Sequence, residues 1–203
     1  MTVELVLGGA RSGKSRYALQ HALSAAHVTW IATAQAFDAE MQQRISHHQA
    51  ERPSHWRTFE TPLYLSQTLA QQSDQLMIVV DCLTLWVSNW LCQPTQHSNS
   101  DHSNSDHSNS DHSTEQAASH SLSTEWQIEQ SDFLRQIERF SGLPERLILV
   151  SNEVGFGIVP DNPLARLFRD EVGQLHQRIA AIANQVTLVV AGLPLSIKPH
   201  AQY

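Results

Sequence analysis

The feature that most constrains the fold is a glycine-rich segment directly after a short apolar run. The run Val3–Leu7 is apolar except for Glu4, and a helical pattern begins near Gly13. The segment between them consists of Gly8, Gly9, Ala10, Arg11, Ser12, Gly13, Lys14 and Ser15. It matches the pattern G-x-x-x-x-G-K-[ST] in full, between a predicted strand and a predicted helix. This context indicates a P-loop, which binds a nucleoside triphosphate.

The residue types of the loop fit phosphate binding. Glycines allow successive backbone N–H groups to point at phosphate oxygens without a Cβ in the way, and Lys14 can reach the β- and γ-phosphates. The Ser15 hydroxyl can bind Mg²⁺, and the helix that begins here directs the positive end of its dipole at the same place. All eight residues of the loop are therefore predicted to contact the triphosphate.

Four further apolar runs indicate the fold class. They are Val28–Thr33, Met77–Val80, Leu147–Val150 and Val186–Ala191. Unbroken apolar runs that alternate with helical stretches are typical of a parallel sheet covered by helices on both faces. We predict an α/β fold with a mostly parallel, RecA-like P-loop NTPase sheet. The chain length favours one domain over residues 1–203.

One segment departs from this pattern. From His97 to Ser113 the chain repeats the unit His-Ser-Asn-Ser-Asp. The segment has no apolar side chains to bury, so nothing offsets the entropy lost on ordering it. We predict a disordered, low-complexity insertion at about 94–124, in a surface loop. A histidine at every fifth position could also bind Ni²⁺ or Zn²⁺ loosely, which is the less favoured interpretation.

The charge and the cysteine content exclude several classes of partner. A net charge of −7 argues against a nucleic acid or a membrane surface as the main partner. No apolar run approaches the roughly 20 residues of a membrane-spanning helix, and the N-terminus enters a strand directly instead of forming a targeting segment. Cys82 and Cys92 have no motif spacing and are expected to be reduced. We expect a cytoplasmic protein.

A carboxylate follows the apolar run Met77–Val80. Asp81 lies where the buried strand ends, and a carboxylate in that position can hold Mg²⁺ directly or through water. Together with Ser15, it is the predicted metal site. A second irregular loop, Asn152–Pro160, follows Leu147–Val150, also at the carboxyl end of a strand, where open α/β sheets place their ligands.

A cluster of charged and imidazole side chains lies between Arg44 and Glu60. It contains three histidines, three arginines and two glutamates. On a helix, Arg44 and His48 would share a face, and so would His47 and Glu51. An imidazole beside guanidinium groups is a plausible nucleophile toward phosphorus. By spacing alone a solvated polar helix explains the cluster better, whereas a zinc site lacks a cysteine or a well-spaced carboxylate to complete it.

Four blocks of this sequence resemble the bifunctional adenosylcobinamide kinase / adenosylcobinamide-phosphate guanylyltransferase family of cobalamin biosynthesis. Together they cover nearly the whole chain outside the histidine repeat. The blocks are the P-loop with Ile31-Ala32-Thr33-Ala34; Arg44-Ile45-x-x-His48-x-x-x-Arg52-Pro53-x-x-Trp56-x-Thr58-x-Glu60; Asp81-Cys82-Leu83-Thr84-x-Trp86-Val87-x-Asn89; and Asn152-Glu153-Val154-Gly155 through Arg166-x-x-Arg169-Asp170 to Gly192.

The resemblance implies two reactions. A nucleoside triphosphate phosphorylates adenosylcobinamide, and GMP is then transferred from GTP, through a guanylyl-histidine, to adenosylcobinamide phosphate. The product is adenosylcobinamide-GDP. GTP, ATP and Mg²⁺ are the implied cofactors. The implied partners are the two corrinoids and further copies of the chain, in a trimer.

The resemblance also implies roles for individual residues. His48 is the nucleophile by the spacing Arg-Ile-x-x-His, with His47 as its rival. The nucleotide would be bound, beyond the P-loop, by Ala32, Thr33, Ala34, Gln49, Ala50, Glu51, Arg52, Glu60 and Asp81. His176 stands where the family more often has Asn, and the histidine repeat is foreign to the family. Two other functions remain open: a P-loop kinase for another hydroxyl substrate, and a metal-chaperone GTPase that uses the histidine repeat.

Overall fold

A computed structural model describes residues 3–72, 76–93, 123–142 and 146–199. The strands are β1 (Val3–Gly8), β2 (Val28–Ala32), β3 (Arg57–Glu60), β4 (Met77–Asp81), β5 (Arg146–Asn152), β6 (Gln185–Val190) and β7 (Leu193–Lys198). The helices are α1 (Lys14–Ala22), α2 (Ala39–Ala50), α3 (Leu65–Ala70), α4 (Leu83–Leu91), α5 (Thr124–Ser141) and α6 (Pro163–Ile182).

The predicted insertion falls almost wholly outside the described residues. Only its last two positions are described, and they belong to α5: the Ser123 side chain caps the helix by accepting a hydrogen bond from the Trp126 backbone N–H, and Thr124 is its first residue. The histidine repeat and its predicted metal binding lie in the part that is not described. Within the described ranges, none of the helices combines the length and the apolar character needed to cross a bilayer.

The strands form one sheet in the order β3-β2-β4-β5-β1-β6-β7. Neighbouring strands are parallel throughout, except that β7 runs antiparallel to β6. The predicted α/β class is confirmed. Because all the parallel strands end at one edge of the sheet, the P-loop after β1 lies near the ends of β4 and β5. In particular, Gly8 pairs with Asn152.

Helices cover both faces of the sheet. Successive side chains of a strand point to opposite faces. Leu5 of β1 accordingly packs with Trp86 and Phe133 on the side of α3 to α6, while Val6 packs with Ala18 of α1 on the other side. The unbroken apolar runs in the sequence follow from this two-sided burial.

A buried carboxylate fixes α1 against the sheet. Glu4 of β1 is fully buried, and its Oε1 accepts hydrogen bonds from Tyr17 Oη and Thr187 Oγ1, both at 2.8 Å. Its Oε2 lies 3.2 Å from Arg146 Nη2, so the buried charge is paired. Burial and the bond to Glu4 raise the pKa of Tyr17 to about 12. Since Tyr17 belongs to α1, this network holds the helix that begins at the P-loop.

Candidate active site

Glycine is required at two positions of the loop between β1 and α1. A Cβ on Gly8 would lie 2.4 Å from the Val189 carbonyl oxygen. Gly13 has φ +99°, and a Cβ there would lie 3.2 Å from Gly192 Cα. The Gly192 N–H also donates to the Ser12 carbonyl at 2.8 Å. Strand β6 packs against the loop at Gly8 and the turn after β6 packs against it at Gly13, so a side chain at either glycine would push these elements apart.

Lys14 is held within the loop. Its side chain is largely buried, and Nζ donates to the Gly9 carbonyl at 2.6 Å and lies 3.4 Å from Ser12 Oγ. Burial lowers the pKa of Lys14, and the neighbouring Cys82 and Asp81 oppose that shift. These contacts fix the position of the ammonium group beside the loop, where it can bind phosphate oxygens.

Ser15 and Asp81 come together as the sequence predicts for a metal site. Ser15 Oγ donates to Asp81 Oδ1 at 3.4 Å. Burial raises the pKa of the Asp81 carboxyl, while the Ser15 hydroxyl and the nearby His48, Arg52 and Lys14 act in the opposite direction. Two hard oxygen donors beside a phosphate-binding loop fit Mg²⁺, which commonly takes one or two protein ligands and completes its shell with phosphates and water.

Thr33 joins the ends of β2 and β4. Its side chain is fully buried; Oγ1 donates to the Cys82 carbonyl at 2.7 Å and accepts from the Cys82 N–H at 2.9 Å. Asn89 Nδ2 donates to the Thr33 carbonyl at 2.8 Å. The neighbouring Ala32 and Ala34 line the cavity instead. The Thr33 side chain therefore points into the protein and not into the cavity, and the nucleotide-binding role of Thr33 stays a prediction.

Helix α2 forms one wall of the cavity. It is capped by Asp38, whose Oδ1 accepts from the Met41 N–H at 2.7 Å, and none of its residues is buried. The face that lines the cavity follows helical spacing, with Met41, Arg44, Ile45 and His48. Gln49 and Ala50 are not among the lining residues. The Gln49 amide instead donates to Glu60 Oε1 at 3.2 Å and so braces a residue that does line the cavity.

The two adjacent histidines differ in how Glu51 contacts them. Glu51 Oε2 lies 3.5 Å from His48 Nδ1, whereas Glu51 Oε1 lies 3.5 Å from His47 Nε2. The His48 side chain is 40% exposed and that of His47 is 74% exposed. A contact at Nδ1 favours the His48 tautomer whose Nε2 carries the free lone pair. In His47 the same carboxylate contacts Nε2 instead. The two contacts are consistent with His48 as the nucleophile, and that role stays a prediction.

Arg52 adds a partly buried cation to the same region. Its guanidinium lies over the Trp30 ring, with Cζ 4.6 Å from the centroid, and Trp30 stacks on Trp56. Burial lowers the pKa of Arg52, and Asp81, Glu51 and Glu60 oppose this. Its buried Nη1 finds no hydrogen-bond partner among the described residues. A buried N–H of this kind is a donor that an anionic ligand would satisfy.

These elements enclose a cavity of about 510 Å³. Thirteen of the predicted residues line it: Ala10, Arg11, Ser12, Gly13, Lys14, Ser15, Ala32, Ala34, His48, Glu51, Arg52, Glu60 and Asp81. Five do not: Gly8, Gly9, Thr33, Gln49 and Ala50. The wall also contains nine residues outside that predicted set: Arg16, Met41, Arg44, Ile45, His47, Cys82, Leu85, Val150 and Asn152.

Asn152 is the most informative of these additional residues. Its Nδ2 donates to Thr84 Oγ1 at 3.1 Å, and it pairs with Gly8 across the sheet. Its position at the carboxyl end of β5 was the available signal. No cluster of three or more His, Cys, Asp or Glu side chains suited to a metal ion occurs among the described residues.

The sequence is similar to one family profile and to several named bacterial proteins. The sequence profile of the family described as cobinamide kinase / cobinamide phosphate guanyltransferase matches residues 4–197. A Pseudomonas aeruginosa protein named bifunctional adenosylcobalamin biosynthesis protein CobP is 42% identical over 198 residues, covering 96% of each chain. The Escherichia coli and Salmonella typhimurium proteins named CobU are 38% and 40% identical over 195 residues, covering 96% of this chain and 98% of their own.

Proposed function

The chain belongs to the cobinamide kinase / cobinamide phosphate guanyltransferase family, and we propose that it catalyses both reactions through the cavity described above. It phosphorylates adenosylcobinamide with a nucleoside triphosphate and then transfers GMP from GTP to the adenosylcobinamide phosphate. One observation carries the proposal: the P-loop and His48, whose Nδ1 contacts Glu51, line the same cavity. A simple kinase has no need of that histidine.

The guanylyl transfer begins with His48. Its Nε2 attacks the α-phosphorus of GTP, a P–N bond forms, and the bond to the β-phosphate oxygen breaks, so that pyrophosphate leaves with the electron pair. Glu51, 3.5 Å from Nδ1, holds the ring in the reactive tautomer and stabilises the positive charge that develops on it. Lys14 and the backbone N–H groups of the P-loop stabilise the negative charge on the departing pyrophosphate.

The kinase reaction uses the same loop. Lys14 would bind the β- and γ-phosphates, and ATP or GTP would be the donor to the corrinoid hydroxyl. Ser15 and Asp81 would hold Mg²⁺, which when bound neutralises charge on the phosphates. Arg52 would direct its unpartnered N–H at the nucleotide. Glu60, braced by Gln49, would accept hydrogen bonds from a nucleobase N–H.

Labelling with GTP tests the guanylyl transfer. Purified protein incubated with α-labelled GTP and Mg²⁺ should form an acid-labile, base-stable protein–GMP adduct. His48→Ala should lose the adduct, and His47→Ala is the matched control, since it removes the adjacent imidazole and should keep at least half of the label. Full labelling of His48→Ala would refute the assignment of the nucleophile. Absence of label from the wild-type protein would refute guanylyl transfer and leave a kinase.

We also propose that the protein assembles as a homotrimer, as the family resemblance implies. In support, the edge strand β7 presents Leu193, Leu195 and Ile197 to solvent, each more than half exposed. An exposed apolar edge strand is normally covered by a partner. Sedimentation equilibrium should give three times the mass of one chain, and a monomer at micromolar concentration would contradict the proposal.

A further inference from the structure

Two successive transfers at one phosphorus atom limit where the acceptor can bind. In a phosphoryl-type transfer the attacking and leaving groups lie roughly in line, on opposite sides of the phosphorus. In the first transfer the imidazole is on one side and pyrophosphate departs from the other. In the second, an oxygen of the acceptor phosphate forms a P–O bond while the P–N bond breaks and its electron pair returns to the ring. The acceptor must therefore attack from the side that pyrophosphate has vacated.

In the proposed transfer the pyrophosphate departs from the P-loop, so the P-loop is the phosphate cradle on that side. Lys14, the first residue of α1, is largely buried, and its Nζ donates to the Gly9 carbonyl of the loop at 2.6 Å. The other cations on the cavity wall are differently placed. Arg52 stacks on Trp30, whereas Arg11, Arg16 and Arg44 are exposed side chains. Among the described residues, the P-loop is the glycine-rich loop of the wall that can surround a phosphate.

We propose that the P-loop binds the phosphomonoester of the corrinoid acceptor during guanylyl transfer. The loop thus has two successive occupants, first the β- and γ-phosphates of GTP and then the phosphate of adenosylcobinamide phosphate. This inference rests on the proposed function, because it assigns the second substrate of that same site. Its direct consequence is that pyrophosphate and the phosphorylated corrinoid exclude each other from the enzyme.

A rival site for the acceptor phosphate lies on α2. Arg44 is one helical turn from His48, lines the same cavity, and takes part in none of the ion pairs among the described residues. A phosphate bound there would lie on the same helix as the imidazole. It would then approach the phosphorus from the same side as the P–N bond. An in-line displacement, which needs the acceptor on the opposite side, would require a large movement of the helix or of the acceptor.

Equilibrium dialysis of the coloured corrinoids against nucleotide-free enzyme tests the proposal. Pyrophosphate with Mg²⁺, at ten times its own Kd, should raise the apparent Kd of adenosylcobinamide phosphate about 11-fold, as simple competition requires. Unphosphorylated adenosylcobinamide is the matched ligand, and its Kd should change less than twofold. Joint binding of pyrophosphate and the phosphorylated corrinoid would overturn the proposal. Failure of that corrinoid to bind an enzyme with an empty P-loop would overturn it too.

Charge-removing variants separate the two sites. Lys14→Gln should weaken adenosylcobinamide phosphate at least tenfold and leave adenosylcobinamide unchanged, whereas Arg44→Gln should change either Kd less than threefold. Arg57→Gln is the surface control, because Arg57 is exposed on β3 and outside the cavity wall. The reverse order of Lys14 and Arg44 effects would refute the inference. Because these are binding measurements, they remain informative even if the labelling experiment disproves guanylyl transfer.

Discussion

Replacing Thr33 by Val should destabilise the protein without removing any contact to a ligand. The valine has nearly the same shape but no hydroxyl, so the buried Cys82 N–H loses the acceptor that lies 2.9 Å away. A buried N–H without a partner costs about 1–3 kcal/mol. The Cys82 carbonyl loses one of two donors and keeps the Trp86 N–H at 3.2 Å, so it adds about 1 kcal/mol. The expected loss is about 2–4 kcal/mol of unfolding free energy.

Urea denaturation monitored by tryptophan fluorescence measures this loss. Thr33→Ser is the matched control, because it keeps the hydroxyl and removes one methyl group, at a cost of about 1 kcal/mol. If Thr33→Val is no less stable than Thr33→Ser, the reasoning about these hydrogen bonds fails. A tenfold rise in its KM for GTP would support the sequence-based prediction that Thr33 helps to bind the nucleotide.

Two further variants probe ionisable groups. Burial lowers the pKa of His176 in the folded protein. Between that lowered pKa and the ordinary value of about 6.5, the imidazole binds a proton in the unfolded chain but not in the folded protein, so the free energy of unfolding falls as the pH drops through this range. His176→Asn should reduce this slope by up to about 1.4 kcal/mol per pH unit in urea titrations between pH 7 and 5, and an unchanged slope would contradict it. Glu51→Gln should slow guanylylation of His48 about 1.4- to fivefold, since a half-exposed charge contact contributes about 0.2–1 kcal/mol. Rapid-quench labelling that shows no change would exclude the orienting role.

The elements that the sequence predicts well are those buried on both faces of the sheet. The apolar runs before Gly8 and Asp81 identify β1 and β4, and with them the P-loop and the buried carboxylate. Strands β3 and β7 were not predicted, because both lie at sheet edges. Most of their side chains are exposed, and β7 also contains Pro194, which is tolerated at an edge but weakens the strand pattern.

The site was predicted less completely for geometrical reasons. A motif marks consecutive residues, but an extended chain turns alternate side chains away from a ligand, which is why Ala32 and Ala34 reach the cavity and Thr33 does not. The sequence marks Asn152 as the end of a strand, where ligands bind, but its position beside Gly8 depends on the strand order that places β5 next to β1, which the local sequence does not specify. Likewise, the contact of Glu51 with His48 Nδ1 depends on the side-chain rotamers at the C-terminal end of α2, which the sequence pattern does not specify.

The contact between α4 and α5 bears on how this chain can change in length. The rings of Trp90 and Trp126 lie 6.0 Å apart, so the two helices meet close to Gln93 and Ser123. The sequence predicts a disordered insertion between these two positions, and doubling the length of such a connection would cost only about 0.6 kcal/mol. Gain or loss of five-residue repeats there is therefore expected to be nearly neutral for folding, whereas replacing either tryptophan would remove an aromatic contact between the two helices.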